Sequence, residues 1–239
     1  MEKITPIRVK DYPMIAVLTG AGISVASGIA PFRGPGGTWT EKDIEECATA
    51  RALKRNPQKV WDAFAFVREK SNIVDPNPAH KALAELEAKH PNTYIITQNI
   101  DGLHQKAGSR NVLEMHGSIH RSQCMKYCSE PFADDKKEFW KCPKCGAPLR
   151  YDIVLFEESL DYNIMRKIDE ILNEVDLFMV VGTSGLVYPA AGFVEIVSRY
   201  NPKARIVIVN LEKLHFMGAR CEQINGKAEE ILPKLFNYD

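Results

Sequence analysis

Residues 14–39 read MIAVLTGAGISVASGIAPFRGPGGTW, and this stretch decides the fold class. Residues 14–18 are a short apolar run of the kind that forms a buried strand in a parallel sheet. The small residues at 20–22 allow a tight turn and a close approach of the backbone to a ligand. Residues 23–27 can open a helix whose free N–H groups attract a phosphate. Strand, turn and helix together are similar to a dinucleotide-binding turn.

The spacing of the glycines departs from the usual dinucleotide fingerprint, G-x-G-x-x-G. Gly20 and Gly22 are followed by a five-residue gap before Gly28. Gly28 opens a loop, 28–33, which carries an aromatic and a guanidinium side chain. A tight strand-to-helix connection in any α/β protein is therefore an alternative interpretation of the turn taken alone.

The composition is that of an ordinary globular protein. At 239 residues the chain is long enough for one large domain, or for one domain that carries a smaller insertion. Hydrophobic residues make up 45% and charged residues 26%. The net charge is zero, with 31 basic and 31 acidic side chains. Nonspecific nucleic-acid binding depends on a basic surface, so no nucleic-acid partner is expected.

The N-terminal segment and the apolar runs bear on location. Residues 1–10 mix charges and lack an apolar core, so they do not form a signal peptide. No apolar run approaches the ~18 residues that a membrane helix needs. We therefore expect a cytoplasmic protein with no membrane partner.

Apolar strand-like runs alternate with helical segments along the chain. The predicted strands are 94–100, 112–115, 152–156, 176–184 and 204–210. The predicted helices are 41–70 (broken at Asn56-Pro57), 78–89, 162–175, 190–200 and 228–236. This alternation predicts an α/β fold, a mostly parallel sheet with helices on both faces.

Four of the six cysteines, Cys124, Cys128, Cys142 and Cys145, cluster within 22 residues. Without a secretion signal, that clustering favours a metal over disulfides. Four thiolates suit one tetrahedral Zn²⁺ at a closed, structural site, with a redox pair as the alternative. The first half has three intervening residues where two are usual. Residues 124–150 are polar, so this module should unfold without its metal.

Polar residues lie at the ends of four of the predicted strands, where open α/β sheets bind ligands. Residues 98–104 read QNIDGLH, and an Asx turn with Asp101 as a helix cap is the plainer explanation. His116 precedes a glycine and is either a base near its working pH or a structural histidine. His104 and His120 are rival candidates for the base. Residues 182–184 and Asn210 suit a phosphate or ribose, or ordinary turn chemistry.

The motifs in combination resemble those of the sirtuins, the NAD-dependent protein deacylases. GAGIS, SGI and FRG occur together with Trp39, TQNIDGLH spans 97–104, and LEMHGS spans 113–118. The resemblance extends over nearly the whole chain. It implies a Rossmann-like lobe (about 1–36, 72–120 and 151–239) and a small lobe. The small lobe would comprise a helical insertion (about 37–71) and a zinc module (about 121–150).

The resemblance also implies a reaction. The acyl oxygen of an acylated lysine attacks the nicotinamide ribose and expels nicotinamide. His116 then acts as general base on the ribose hydroxyls, and the products are free lysine, nicotinamide and O-acyl-ADP-ribose. Asn99 and Asp101 complete the catalytic set, with Asp101 and the Ile100 backbone on the nicotinamide carboxamide. NAD is consumed as a co-substrate, and Phe32 shields the reactive ribose.

By the same resemblance, a larger set of residues contacts the two substrates. The expected NAD contacts are Gly20, Ala21, Gly22, Ser24, Ile29, Phe32, Arg33, Trp39, Gln98, Asn99, Ile100, Asp101, Gly182, Thr183, Ser184, Asn210, Leu211, Glu212 and Ala228. The substrate peptide is expected to add a strand at Val154, Phe156 and Glu157. Glu157 stands where family members usually carry glycine, and Ala30-Pro31 is also an unusual pair for the family.

The helical insertion bears on the acyl group. FRGPGGTW is similar to a subgroup that includes enzymes removing succinyl or malonyl groups, which bind the acyl carboxylate with a tyrosine and an arginine. Phe64 and Val67 occupy the matching positions, so the charge-assisted fork is missing. Arg68 lies on the wrong side of the helix to replace it. We therefore expect a neutral acyl group and a deacetylase.

Other functions remain open from the sequence. A protein mono-ADP-ribosyltransferase on the same scaffold would use NAD similarly, and a desuccinylase or long-chain deacylase would differ in its acyl pocket. A noncatalytic NAD sensor or zinc-ribbon nucleic-acid module is disfavoured by the zero net charge. The expected partner is an acylated protein or peptide, and the expected oligomeric state is a monomer.

Overall fold

The apolar run at the start of the chain forms a strand, Ile15–Thr19, at the middle of a parallel sheet. All five of its residues are buried, because helices cover both faces of the sheet. The structure is a computed structural model that describes residues 5–32, 36–185, 187–216 and 220–239.

The described elements are numbered in chain order. The strands are β1 (Ile7–Arg8), β2 (Ile15–Thr19), β3 (Thr93–Thr97), β4 (Val112–Glu114), β5 (Gly117–Cys124), β6 (Phe132–Ala133), β7 (Leu149–Ile153), β8 (Leu177–Val181), β9 (Arg205–Asn210), β10 (Glu222–Asn225) and β11 (Phe236–Asn237). The α-helices are α1 (Glu41–Cys47), α2 (Ala50–Arg55), α3 (Pro57–Ile73), α4 (Pro78–Lys89), α5 (Leu103–Ala107), α6 (Tyr162–Glu174), α7 (Phe193–Tyr200) and α8 (Ala228–Leu235). Short 3₁₀ helices occupy Val9–Asp11, Ala21–Ser27 and Ala190–Gly192.

The main sheet of the described residues has the strand order β10-β9-β8-β2-β3-β4, and its paired strands are parallel. Successive side chains of β2 point to opposite faces. Val17 packs in a core with α4 and α8, whereas Leu18 packs in a second core with α6 and α7. The predicted parallel sheet with helices on both faces is thus confirmed. No helix of the described residues combines the length and the apolar character that a membrane span requires.

A second group of elements shares its own core. The antiparallel sheet β6-β5-β7 packs against α1, α2 and α3, and the core between them includes Trp61, Phe64 and Tyr151. The rings of Trp61 and Tyr151 stack with centroids 4.2 Å apart. This unit, called the small lobe below, contains the helical insertion and the cysteine cluster. The exact lobe boundaries given above stay a prediction.

Several predicted boundaries are wrong in detail. The segment 41–70 forms three helices instead of two, because Thr49 caps α2 as Asn56 caps α3. The predicted strand 152–156 starts earlier and ends earlier, at Leu149–Ile153. Strand β5 lay outside every predicted strand, since its sequence GSIHRSQC lacks an apolar run.

Candidate active site

The glycine turn after β2 packs directly against the turn after β8. Gly22 N donates to Gly182 O at 2.8 Å, and Gly20 N donates to Val181 O at 3.1 Å. A Cβ on Gly22 would lie 2.7 Å from Gly182 O, far inside normal contact. Two turns that meet backbone to backbone therefore require these glycines, apart from any approach to a ligand. The expected helix after the turn is present, but as a 3₁₀ helix.

The amide and the carboxylate after β3 reach back to this turn. Asn99 Nδ2 donates to Gly20 O at 3.1 Å and to Ser24 Oγ at 3.2 Å. The Ser24 hydroxyl in turn donates to Asp101 Oδ2 at 2.7 Å. Asp101 Oδ1 accepts from Leu103 N at 3.0 Å, so the Asx turn foreseen as an alternative also forms. The Asp101 carboxylate therefore accepts from Ser24 with one oxygen and closes the Asx turn with the other.

Asp101 is a buried carboxyl, 4% exposed. Burial raises the pKa of Asp101, while the hydrogen bonds from Leu103 and Ser24 act in the opposite direction. Its two oxygens have about four lone-pair positions, so acceptor capacity remains for an amide donor of a ligand. The chemistry of this residue thus fits a carboxamide such as that of nicotinamide.

His116 follows β4 and lies half-buried beside the end of β3. Its Nδ1 lies 2.8 Å from Gln98 O, and a carbonyl oxygen only accepts, so Nδ1 carries the proton. In the neutral ring, Nε2 is then left as the acceptor. Burial lowers the pKa of His116, and the bond to the Gln98 carbonyl offsets part of that effect. The neutral ring with a basic Nε2 is what a general base needs near neutral pH.

The two rival histidines have other hydrogen-bond partners. His104 is fully buried, with Nε2 at 2.9 Å from Thr19 Oγ1. His120 Nε2 lies 3.0 Å from Asp101 O. Both rings engage Nε2, whereas His116 engages Nδ1 and leaves Nε2 as the acceptor.

A pair of buried histidines lies beneath Ser24, and sequence reasoning missed it. The His80 and His104 rings meet edge to face with centroids 5.0 Å apart, and His80 Nε2 is 3.5 Å from Ser24 Oγ. Burial lowers the pKa of His80 to about 4 and that of His104 well below its usual value. Both rings are therefore neutral at pH 7. His80 is on the first turn of α4 and no local signal connects it with a site 56 residues away.

The other predicted NAD contacts lie after neighbouring strands of the same sheet. Gln98 Nε2 donates to Thr183 Oγ1 at 3.2 Å, which joins the ends of β3 and β8. Phe32 stacks on Trp39, with ring centroids 5.7 Å apart. Ile29 directly follows the glycine turn and its 3₁₀ helix, whereas Arg33 lies outside the described residues.

Four predicted contacts lie further along the sheet, after β9 and β10. Asn210 Nδ2 donates to Glu212 O at 3.0 Å, Leu211 is exposed, and Ala228 is the buried first residue of α8. None of the hydrogen bonds between described residues joins them to Asp101 or His116. The structure therefore places these four residues at the same edge of the main sheet, without a hydrogen bond to the linked residues Asn99, Ser24 and Asp101.

The predicted peptide-binding segment follows β7. Val154 N donates to His116 O at 3.0 Å, which places this segment beside the candidate base. Phe156 pairs through both backbone groups with the helical insertion, to Ala48 O and from Ala50 N, each at 2.9 Å. A peptide would therefore meet Phe156 through its side chain unless those bonds were exchanged.

Glu157 adopts φ +72°, the left-handed region in which glycine is favoured. Its carboxylate lies 2.7 Å from the Arg51 guanidinium. The glycine usual at this position thus has a backbone reason, and here the side chain contacts the helical insertion instead.

The four clustered cysteines form a site that fits zinc. Their Sγ atoms all lie within 4.8 Å of one another, and four pairs are 3.3–3.5 Å apart. Tetrahedral zinc with Zn–S near 2.3 Å needs sulfurs about 3.8 Å apart. The additional residue in the first half is accommodated by Tyr127, whose φ is +51°. An all-thiolate set leaves no open position, so a zinc ion here would be structural.

The comparison with known proteins decides the family. A model of the Sir2 family matches residues 20–189. The chain belongs to the Sir2 family. An NAD-dependent protein deacylase 2 of Pyrobaculum aerophilum is 44% identical over 221 residues, covering 92% of this chain and 88% of that protein. An NAD-dependent protein deacylase of Thermococcus kodakarensis is 43% identical over 227 residues, covering 91% and 87%.

Solved structures agree with this assignment. A Sir2 homologue in complex with NAD has a TM-score of 0.85 and 36% identity, covering 94% of this chain and 88% of that one. A Sir2 with a p53 peptide and NAD⁺ has a TM-score of 0.79 and 31% identity, covering 94% and 92%. The α/β fold and the small lobe are therefore those of the Sir2 family.

Within this Sir2 chain, one of the two positions expected to select the acyl group packs against an aromatic ring. Phe64 is buried, and its ring lies 5.0 Å from that of Trp39. Arg68 is also buried, and its guanidinium donates to Lys136 O at 3.0 Å and lies over the Tyr151 ring. That Arg68 cannot replace the missing fork stays a prediction.

Proposed function

We propose that the protein is an NAD-dependent protein-lysine deacetylase, which transfers the acyl group from lysine to ADP-ribose and releases nicotinamide. The observation that carries the proposal is the linked set Asn99–Ser24–Asp101 beside His116, whose Nε2 is left basic. Relatives named as NAD-dependent protein deacylases over about nine-tenths of the chain support it.

Each residue of the set has a defined task in this proposal. NAD, when bound, supplies the glycosidic bond that breaks and the ribose that receives the acyl group. Asp101 accepts from the carboxamide of the nicotinamide end, and Asn99 holds the position of Ser24 and the glycine turn. His116 accepts a ribose hydroxyl proton at Nε2, while Gln98 O keeps the ring in the required tautomer.

The aromatic residues have a separate task. The rings of Phe32, Trp39, Phe64 and Phe156 form a continuous wall, with adjacent centroids 5.0–6.0 Å apart. Such a wall excludes water from an electrophilic ribose centre that must first meet a weak amide nucleophile. Zinc, held by the four cysteines, would fix the small lobe and take no part in the chemistry.

The proposed acyl group is neutral, with acetyl as the first choice. A succinyl or malonyl carboxylate would be buried against Phe64 and Val67 without a cation to pair with it, which is costly. Arg68 Nη1 donates to the Lys136 carbonyl, and Nη2 lies 3.8 Å from the buried carboxylate of Asp134. A long-chain acyl group is compatible with the same apolar wall and forms a separate arm of the test.

The test uses acetylated, succinylated and long-chain acylated peptides, with and without NAD, for the wild type and His116→Ala. We expect NAD-dependent deacetylation that falls by about 10²–10⁴ in the variant, the usual contribution of a general base. His90→Ala is the matched control, because His90 contacts Thr93 away from the site. Turnover without NAD, undiminished turnover in His116→Ala, or faster desuccinylation would each contradict the proposal.

Mass spectrometry of the products separates the second candidate. A mono-ADP-ribosyltransferase would leave ADP-ribose on a protein side chain, whereas the deacetylase leaves O-acetyl-ADP-ribose. We propose an acylated protein or peptide as the partner, and the cytoplasmic location and monomeric state stay predictions.

A further inference from the structure

Strand β5 carries a second histidine next to the candidate nicotinamide site. We propose that His120 is a positioning residue: its Nε2–H holds the Asp101 carbonyl and so fixes the turn that presents Ile100 and Asp101. This inference rests on the proposed function, since it assigns His120 to the nicotinamide end of the NAD site.

The direction of the hydrogen bond follows from its partners. His120 Nε2 lies 3.0 Å from Asp101 O, and the carbonyl oxygen has no proton to give. Nε2 must therefore carry the hydrogen and donate it. Asp101 is then held at both ends, its carbonyl by His120 and its carboxylate by Ser24 and Leu103.

The ring also packs on the turn itself. Gly102 has φ +70°, and a Cβ there would lie 2.9 Å from His120 Cδ2 and 3.2 Å from Nε2. One residue earlier on β5, Ile119 N donates to Ile100 O at 3.0 Å. Two successive residues of β5 thus hold two successive carbonyls of the turn.

The same ring nitrogen also lies near the helical insertion. Ser71 Oγ of α3 lies 3.5 Å from His120 Nε2, and the Ser71 hydroxyl donates to Arg68 O at 2.9 Å. His120 therefore lies between the turn and α3. This placement restricts rotation of the Asp101–Gly102 peptide, which would swing the Asp101 side chain away from a bound carboxamide.

Binding sites lose affinity when their supporting residues allow the contact groups to drift. The turn is short, and after the Asp101 carbonyl is released it retains the bond from Ile119 N to Ile100 O, the carboxylate contacts and the start of α5. We expect loss of the His120 bond to weaken binding of the nicotinamide end, and to leave peptide binding and the basicity of His116 unchanged.

The test compares His120→Met with His120→Gln. The two side chains have nearly the same length, and only Gln keeps an N–H donor near the position of Nε2. Loss of a neutral hydrogen bond predicts that His120→Met raises the KM for NAD and the half-inhibitory nicotinamide concentration about 3- to 10-fold. His120→Gln should recover most of that loss, with kcat and the KM for peptide within about 2-fold of wild type in both variants.

The readouts separate positioning from folding and from the proposed function. Thermal melting and zinc content show whether a variant is folded, and His120→Asn replaces His120→Met if the latter is not. An unchanged KM for NAD in His120→Met, or equal impairment of the Met and Gln variants, would overturn the inference. If the wild-type protein binds nicotinamide and NAD but does not deacylate peptides, the proposed function is contradicted and the inference about His120 is not. In that case the ratio of the two variants' dissociation constants for nicotinamide still decides the role of His120.

Discussion

The main sheet and the small lobe are specified by different physics. Strand β2 buries all five of its residues between two helical layers, and its neighbour β8 does the same. Strand β5 instead mixes buried with half-buried residues and carries a histidine, an arginine and a cysteine. The sheet is held by apolar burial between two helical layers, whereas the small lobe combines a core of its own with four clustered thiols and a few long-range polar contacts. Disturbing one kind of interaction should therefore leave the other region largely intact.

Zinc removal should have the largest effect, and we expect it to divide the two regions. Apparent zinc-binding energies in small cysteine sites are about 10–16 kcal/mol, which is folding energy for the module. Chelation or Cys142→Ser should abolish amide-exchange protection in β5 and β7 and preserve it in β2, β3 and β8. Hydrogen-exchange mass spectrometry measures this directly.

Cys221→Ser is the control for that experiment, because Cys221 is a free cysteine outside the cluster. It should leave both regions protected. Equal loss of protection in both sheets after chelation would show that the two regions fold as one unit.

Low pH should destabilise the region of the main sheet, because two buried histidines there become protonated only on unfolding. Burial lowers the pKa of His80 from 6.5 to about 4. The unfolded chain takes up this proton as pH falls below about 6.5, while the folded chain resists it until about pH 4. The free energy of unfolding should therefore fall by about 3 kcal/mol as the pH drops from about 6.5 to about 4, because of His80 alone.

Urea unfolding at about pH 7 and pH 4.5 measures this loss. In His80→Gln the difference between the two pH values should shrink, though His104 retains its own share. An unchanged pH dependence in His80→Gln would refute the assignment. His90→Gln supplies the matched control at a half-buried histidine.

A smaller effect on stability is expected when a triad of ion-paired side chains between the main sheet and the small lobe is removed. Arg121 of β5 contacts Glu114 of β4 and Asp152 of β7, each at 2.7 Å. Glu114 precedes His116 by two residues, and Asp152 precedes Val154 by two. Arg121→Met should cost about 1 kcal/mol, since the Arg121 side chain is 36% exposed, and should raise the KM for peptide several-fold.

Arg166→Met is the comparison for that variant, because Arg166 pairs with Glu170 on the exposed face of a single helix, α6. Its effect on stability should be smaller, and its KM for peptide should equal that of the wild type. Equal kinetics of the two variants would show that the triad does not align the base with the peptide segment.

The smallest effect concerns Glu157, where the small lobe meets the peptide segment. A side chain at φ +72° costs about 1–2 kcal/mol relative to glycine, and an exposed ion pair returns about 0–1. Glycine also loses about 0.5–1 kcal/mol more backbone entropy on folding, so the three contributions nearly cancel and Glu157→Gly should change stability by about 1 kcal/mol or less. Glu157→Ala keeps the strain and loses the pair with Arg51, so it should melt below the Gly variant.

The contrast between the regions also explains what the sequence could predict. The runs around Val17, Val180 and Ile208 are continuous and apolar, so strands of the main sheet were identifiable without knowledge of their partners. Helix α4 was predicted with its observed bounds because Asn77-Pro78 marks its start and its apolar stripe is regular. The sheet and its helices follow from local patterns.

Residues of the candidate site could be predicted from the sequence only where they belong to a recognisable local motif. The cysteine spacing indicated a metal site, and the glycine turn and QNIDGLH indicated a ligand at strand ends. The contact of His120 with the Asp101 carbonyl, and of His80 with Ser24, joins residues that no local pattern connects. Strand β5 was missed for the same reason, since GSIHRSQC becomes a strand through pairing with β7.

The central position of β2 has a consequence for synthesis of the chain. One of its two neighbours is β3, but the other is β8, whose residues Leu177–Val181 lie some 160 positions later. While the ribosome is still adding the intervening residues, one edge of this apolar strand has no partner, and such edges invite aggregation. Nascent chains that end before Leu177 should therefore recruit chaperones, and release should coincide with the emergence of β8.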